Sequence, residues 1–239
     1  MHHALLLILL CAALGGSMTA TESASIAVPA AYLAPLTAAM QVPWPKNRAI
    51  TIVCHGHSVP TGYFTTPVVD TFNAYPHLLH RALKERFPHA VINVIVTGIG
   101  GENAEQGAKR FADQVLNHHP DLITIDYALN DRKIGLERAK AGWTAMIVAA
   151  TASKIPVLLL TPTPDLTAKL DDAADPLVQH ATQIRALAAE YHLGLVDSLQ
   201  GFRGAMAQGT ELKSLMSQSN HPNRQGHDLV VAALIHWFP

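Results

Sequence analysis

The chain has 239 residues, 49% of them hydrophobic and 15% charged, which suits one packed globular core. Its formal net charge of −1, with no basic run, gives no electrostatic footing for nucleic acid or an anionic membrane. No low-complexity tract, internal repeat or proline-rich linker divides it, so a single domain is expected.

The chain opens with an apolar run, ALLLILLCAALGG (4–16), followed by the small and polar residues SMTATESASIA. A run this short fits a signal peptide better than a membrane span. The expectation is an export segment over about 1–25, a mature domain over 26–239, and a secreted or periplasmic protein without stable membrane association. The n-region holds only His2 and His3 in place of Lys or Arg, and the alternative is an uncleaved N-terminal anchor. Cys11 follows ILL, which lacks the small residue a lipoprotein site needs. Processing would leave Cys54 alone, so no intramolecular disulfide is available and the core must hold the fold.

Next comes AAYLAPLTAAMQVPWPKNR (30–48), read as a short helix capping a sheet. Five runs rich in Val, Ile and Leu then have strand character: AITIVC (49–54), AVINVIV (90–96), DLITIDY (121–127), PVLLLT (156–161) and LGLVD (193–197). They are continuous rather than alternating, as expected where both faces of a sheet are covered. Cys54 ends the first and reads as a small buried hydrophobe. Helical periods lie between and after the strands. Ala104, Ala108, Phe111 and Val115 share one face, as do Ala139, Trp143, Met146 and Ala150. Leu229, Val230, Ala233 and Trp237 do so in the last segment, with Asn223 as a cap. This alternation predicts an α/β fold, a parallel sheet with helices on both faces.

In such sheets ligands gather beyond the carboxyl ends of the strands. Gly56-His57-Ser58 follows the first strand, Gly98 to Gly101 the second and Asn130-Asp131 the third, while His221 precedes the last helix. Acyl transfer from an ester needs a nucleophile, a base and oxyanion donors. A serine needs a histidine within reach to take its proton. The rim supplies Ser58, His221, backbone N–H groups near Gly101 and the Asn130 amide. His55 and His57 form a His-x-His pair that would suit zinc, but no third ligand appears at a matching spacing. No metal or cofactor is expected. Tyr63, Phe64 and Tyr127 lie near the same rim by sequence, as acyl-pocket, sugar-stacking or plain packing residues.

With GHSVP, GIGGEN, ALND and NHPNRQGH in this order, the chain resembles the SGNH hydrolases, the GDSL-like esterase/lipase family. The resemblance runs over about 49–237. It implies a three-layer α/β/α sandwich with a five-stranded parallel sheet, of flavodoxin-like arrangement. It makes Ser58 the nucleophile and His221 the base, with the oxyanion hole at Ser58 N–H, Gly101 N–H and the Asn130 amide; Gly98 competes with Gly101. Three positions depart from the pattern: His57 replaces Asp beside the serine, Ala128 replaces a glycine, and Gln218 stands where the family has the Asp that orients the histidine. A Ser58–His221 dyad is therefore expected, helped by Gln218, a backbone carbonyl or a carboxylate from elsewhere. The implied substrate is a small-molecule or glycan ester, short-chain or acetyl, met outside the cell. A longer-chain lipase or thioesterase, a catalytically inactive carbohydrate-binding module and a metal-dependent hydrolase are the alternatives.

Overall fold

The structure is a computed structural model and describes residues 24–239. The expected export segment lies, over 1–23, outside the described residues. In chain order the first elements are helices α1 (Pro29–Tyr32) and α2 (Ala34–Met40), strand β1 (Ala49–Gly56) and a single turn, α3 (Ser58–Thr61). Then come α4 (Tyr75–Arg86), β2 (Val91–Val96), α5 (Ala104–Gln114), β3 (Leu122–Asp126) and a second short turn, α6 (Ala128–Asp131). The remainder is α7 (Leu136–Ala152), β4 (Val157–Leu160), α8 (Pro176–Glu190), β5 (Gly194–Val196) and α9 (Ser198–Ala207), followed by β6 (Met216–Gln218), β7 (His221–Pro222) and α10 (Arg224–Ile235).

The five-stranded sheet has the order β2-β1-β3-β4-β5 and every pairing is parallel. Strand parity sorts the apolar side chains into two cores. Ile50, Ile52 and Cys54 of β1, with Leu122, Leu158 and Leu160, pack in one cluster with residues of α4, α9 and α10. Val53, with Ile123, Ile125, Val157 and Leu159, packs in the other with residues of α5, α7 and α8. The result is the expected three-layer α/β/α arrangement. Because β1 pairs with β2 on one side and β3 on the other, the chain reverses its course between them. That is the switch point at which open α/β sheets form clefts.

The lead-in forms two short helices rather than one. Leu33, Leu36 and Met40 enter the first core, and Tyr32 Oη accepts from Val157 N at 3.0 Å and donates to Val157 O at 3.1 Å. This segment therefore closes the amino end of β4, opposite the rim of interest. The three helices read from sequence are present, and Asn223 caps α10 by accepting from Gly226 N. Asn103 and Gln106 make a reciprocal capping box at α5. Trp237 lies beyond the end of α10, and buries against the sheet edge with its indole N–H on Leu195 O.

Candidate active site

The first strand delivers its last residues straight into α3. His57 caps this turn, its Nδ1 accepting from Val59 N at 3.2 Å, and Ser58 follows, 5% exposed. The β6–β7 ribbon brings His221 to it from 163 positions away, with Ser58 Oγ 3.0 Å from His221 Nε2. On the other side of the imidazole, Nδ1 lies 3.0 Å from the carbonyl of Phe64. A carbonyl can only accept, so Nδ1 carries the proton and Nε2 presents its lone pair to the serine hydroxyl. Burial lowers the His221 pKa below the ordinary imidazole value, a trend the Phe64 carbonyl opposes. His221 therefore stays neutral to a lower pH than a free imidazole. Tyr63 stands beside it, ring centroids 5.8 Å apart.

Gln218 is not the group on the imidazole. Its Oε1 accepts from Thr66 N at 2.9 Å and its amide donates to Asn220 Oδ1 at 3.2 Å. The ribbon explains why: Gln218 and His221 are cross-strand partners, and the Gln218 side chain is spent on the loop after Tyr63. Thr65 Oγ1 also donates to Ser217 O, at 3.2 Å. Gln218 thus holds the loop whose Phe64 carbonyl meets Nδ1, and orients the base at one remove.

On the oxyanion side, Asn130 lies in α6, directly after β3. Its Nδ2 donates one hydrogen to Glu102 O at 2.9 Å, leaving the second N–H for another acceptor. Gly101 has φ +80°, a conformation that favours glycine, and a Cβ built there would meet nothing within 4 Å. Gly98 is packed instead: a Cβ there would lie 2.3 Å from Thr61 Oγ1 and 2.8 Å from His57 O. Gly98 therefore serves the fit of two loops, and Gly101 is the glycine at the open face. Asp131 turns away, accepting from Ala104 N at 2.8 Å and Trp143 Nε1 at 2.7 Å, and burial pushes its pKa up to about 6.

A buried polar network below Glu102 went unread in the sequence. Arg110 binds both carboxylate oxygens of Glu102, and Tyr127 Oη donates to Glu102 Oε2 at 3.0 Å. Tyr127 also meets His55 Nε2 at 3.0 Å, and His55 Nδ1 meets Thr97 Oγ1 at 2.8 Å. One residue, Glu102, thus anchors the Gly101 turn through its carboxylate and the Asn130 amide through its carbonyl. The one sequence cue was an acidic residue directly after the glycine block, with an arginine eight positions on. His55 is spent in this network and His57 on the serine turn, so the two rings of the His-x-His pair serve different neighbours. Cys54 is fully buried in β1, its thiol pushed up to about 12 by burial, and takes no part in the rim. A cleft of about 530 Å³ lined by Tyr32, Arg48, Asp121 and His192 lies at the amino ends of the strands, away from Ser58.

A parallel α/β sheet whose switch point joins a buried serine, a histidine and an asparagine beside an open glycine turn defines a hydrolase of the SGNH kind. The chain belongs to the GDSL-like Lipase/Acylhydrolase family, whose model matches residues 54–229. No curated protein matches it in sequence. Among solved structures it is similar to a two-domain esterase active on acetylated mannans, co-crystallized with mannopentaose (TM-score 0.69, 21% identity). That match covers 87% of this chain and 52% of the other, so the chain spans about half the length of that esterase. It is also similar to an acetylxylan esterase from Geobacillus stearothermophilus (TM-score 0.68, 18% identity), over 79% of this chain and 94% of that one. Two further structures of the Geobacillus enzyme are catalytic mutants, one with a histidine and one with a serine replaced by alanine.

Proposed function

We propose that this protein is an exported serine esterase that removes acetyl or other short acyl groups from a carbohydrate through an acyl-serine intermediate. The observation that carries the reading is the 3.0 Å contact between Ser58 Oγ and His221 Nε2, with the opposite ring nitrogen held by a carbonyl. Ser58 Oγ attacks the ester carbonyl carbon while its proton passes to His221 Nε2. The oxyanion takes hydrogen bonds from Ser58 N–H, Gly101 N–H and the second N–H of Asn130. Collapse expels the alcohol, which leaves with the proton from Nε2–H. A water molecule then repeats the sequence on the acyl-serine, giving up its proton to His221 and freeing the carboxylic acid and Ser58.

The carbohydrate and acetyl parts rest on two structural neighbours, one active on acetylated mannans and one an acetylxylan esterase. Export rests on the apolar run 4–16. The test is covalent labelling by a fluorophosphonate, with hydrolysis measured on nitrophenyl esters of increasing chain length. Labelling that disappears in Ser58→Ala, together with fastest turnover of acetate, is expected. Preference for long acyl chains would replace the acetyl reading by a lipase or thioesterase; absence of labelling and turnover would leave a carbohydrate-binding module.

A further inference from the structure

Ser58 Oγ has a second imidazole beside it. His57 Nδ1 lies 3.4 Å from Oγ, against 3.0 Å for His221 Nε2. Val59 N donates to that same Nδ1 at 3.2 Å, so Nδ1 carries a lone pair and the His57 proton sits on Nε2. Nε2 faces Asp126 Oδ1 at 3.5 Å. His57 is fully buried and Asp126 2% exposed, and among the described residues neither of the two facing atoms has a hydrogen-bond partner. A buried carboxylate oxygen and an imidazole nitrogen that face each other without a normal hydrogen bond are costly to keep, and ask for a reason beyond packing. Meanwhile His221 meets only a carbonyl at Nδ1, which fixes its tautomer but carries no net charge to balance the imidazolium formed during catalysis.

We propose that Asp126, acting through His57, is the positioning carboxylate of this site: it fixes the His57 tautomer, leaves the Ser58 proton to His221, and supplies the negative charge that balances the His221 imidazolium. The inference rests on the serine-esterase reading above. The contacts run in one line, Asp126 Oδ1 to His57 to Ser58 Oγ to His221, from the end of β3 to the β6–β7 ribbon. Were the His57 proton on Nδ1, it would oppose the Val59 N–H and compete for the serine oxygen. With the proton on Nε2, the serine hydroxyl has one unoccupied acceptor, His221. The titratable groups around the line are Tyr63 and His227 near His221, Asp131 and Tyr127 near His57, and Tyr75 and the neutral Cys54 thiol near Asp126. The Asp131 carboxylate is taken up by two N–H donors, and burial raises the pKa of both tyrosine hydroxyls at Tyr75 and Tyr127, so they stay neutral.

The test is Asp126→Asn, which keeps the shape and removes the charge, read as the pH profile of kcat/KM on nitrophenyl acetate. Loss of an anion near an imidazolium lowers the imidazole pKa, so the acid limb should move to lower pH while kcat falls between about 10- and 100-fold at little change in KM. A limb that stays at the wild-type pH overturns the proposal, whatever happens to the rate. Nitrogen NMR of the wild-type histidines reads the contact without any substitution. His57 as the neutral tautomer with its proton on Nε2 supports the proposal, and a proton on Nδ1 overturns it. Failure of the esterase reading shows separately, as absent fluorophosphonate labelling of Ser58, and leaves the NMR result readable.

Discussion

The His221 imidazole is oriented by a main-chain carbonyl rather than a carboxylate, and single-residue effects follow from that. Gln218→Ala should cost turnover no more than about fivefold, the worth of one ordinary hydrogen bond, because Gln218 touches the Phe64 loop and not the imidazole. Steady-state kcat on nitrophenyl acetate checks this; a loss of several thousandfold would mean that Gln218 orients His221 directly. On the proposed mechanism Asn130→Ala takes away one of the oxyanion donors and should lower kcat by about 10²–10³-fold with little change in KM. The placement of Ser58, His221, Asn130 and Gly101 on one rim was legible because each belongs to a short block at a strand end or before the last helix. Phe64 was not, because every residue has a carbonyl and only the path of a loop decides which one meets Nδ1.

Among the elements, the turn between β2 and α5 is the piece on which the oxyanion side depends. Its Glu102 is clamped by Arg110 from within α5 and by Tyr127 at the end of β3. Arg110→Ala would leave a nearly buried carboxylate without its cation and should destabilise the fold by roughly 3 kcal/mol. Glu102→Gln keeps the size and the main-chain carbonyl, and should lower kcat about tenfold while KM holds, since a loosened Gly101 turn disturbs the transition state more than substrate binding. Denaturant melts and steady-state kinetics separate the two effects. Strands β1, β3, β4 and β5 were readable because residues covered on both faces leave a continuous apolar run, and the edge strand β2 was readable from its Val and Ile content although Val91 and Asn93 are exposed. The β6–β7 ribbon was not, since strands of three and two residues offer no period to detect.

For the molecule as a whole, buried histidines set the acid limit. Burial lowers His55 and His227 to about 3 and His180 to about 4. Their unfolded values are about 6.5, so below that pH the unfolded chain binds more protons and folding stability falls. Each residue contributes up to about 1.4 kcal/mol per pH unit across the window from about 6.5 down to its own folded value. Asp131, pushed up to about 6, acts in the opposite direction between about 6 and 4 and offsets one of the three. Thermal melts should therefore show a midpoint that drops steadily from pH 7 to pH 4.5. His227→Gln should flatten that slope; an unchanged slope would remove His227 from the account.

The sequence by itself determined the fold class and the four blocks of the rim, because hydrophobic period and strand-end position are local properties of the chain. It also marked the missing carboxylate at position 218. What stands in its place only the tertiary structure decided: the Phe64 carbonyl on one side of the base, and His57 with Asp126 behind the serine. Those contacts join residues 157 and 69 positions apart, and they exist because β1 and β3 are neighbours at the switch point while the ribbon folds back over the loop after Tyr63. Spacing along a chain carries no record of such distances; the packing of the sheet creates them.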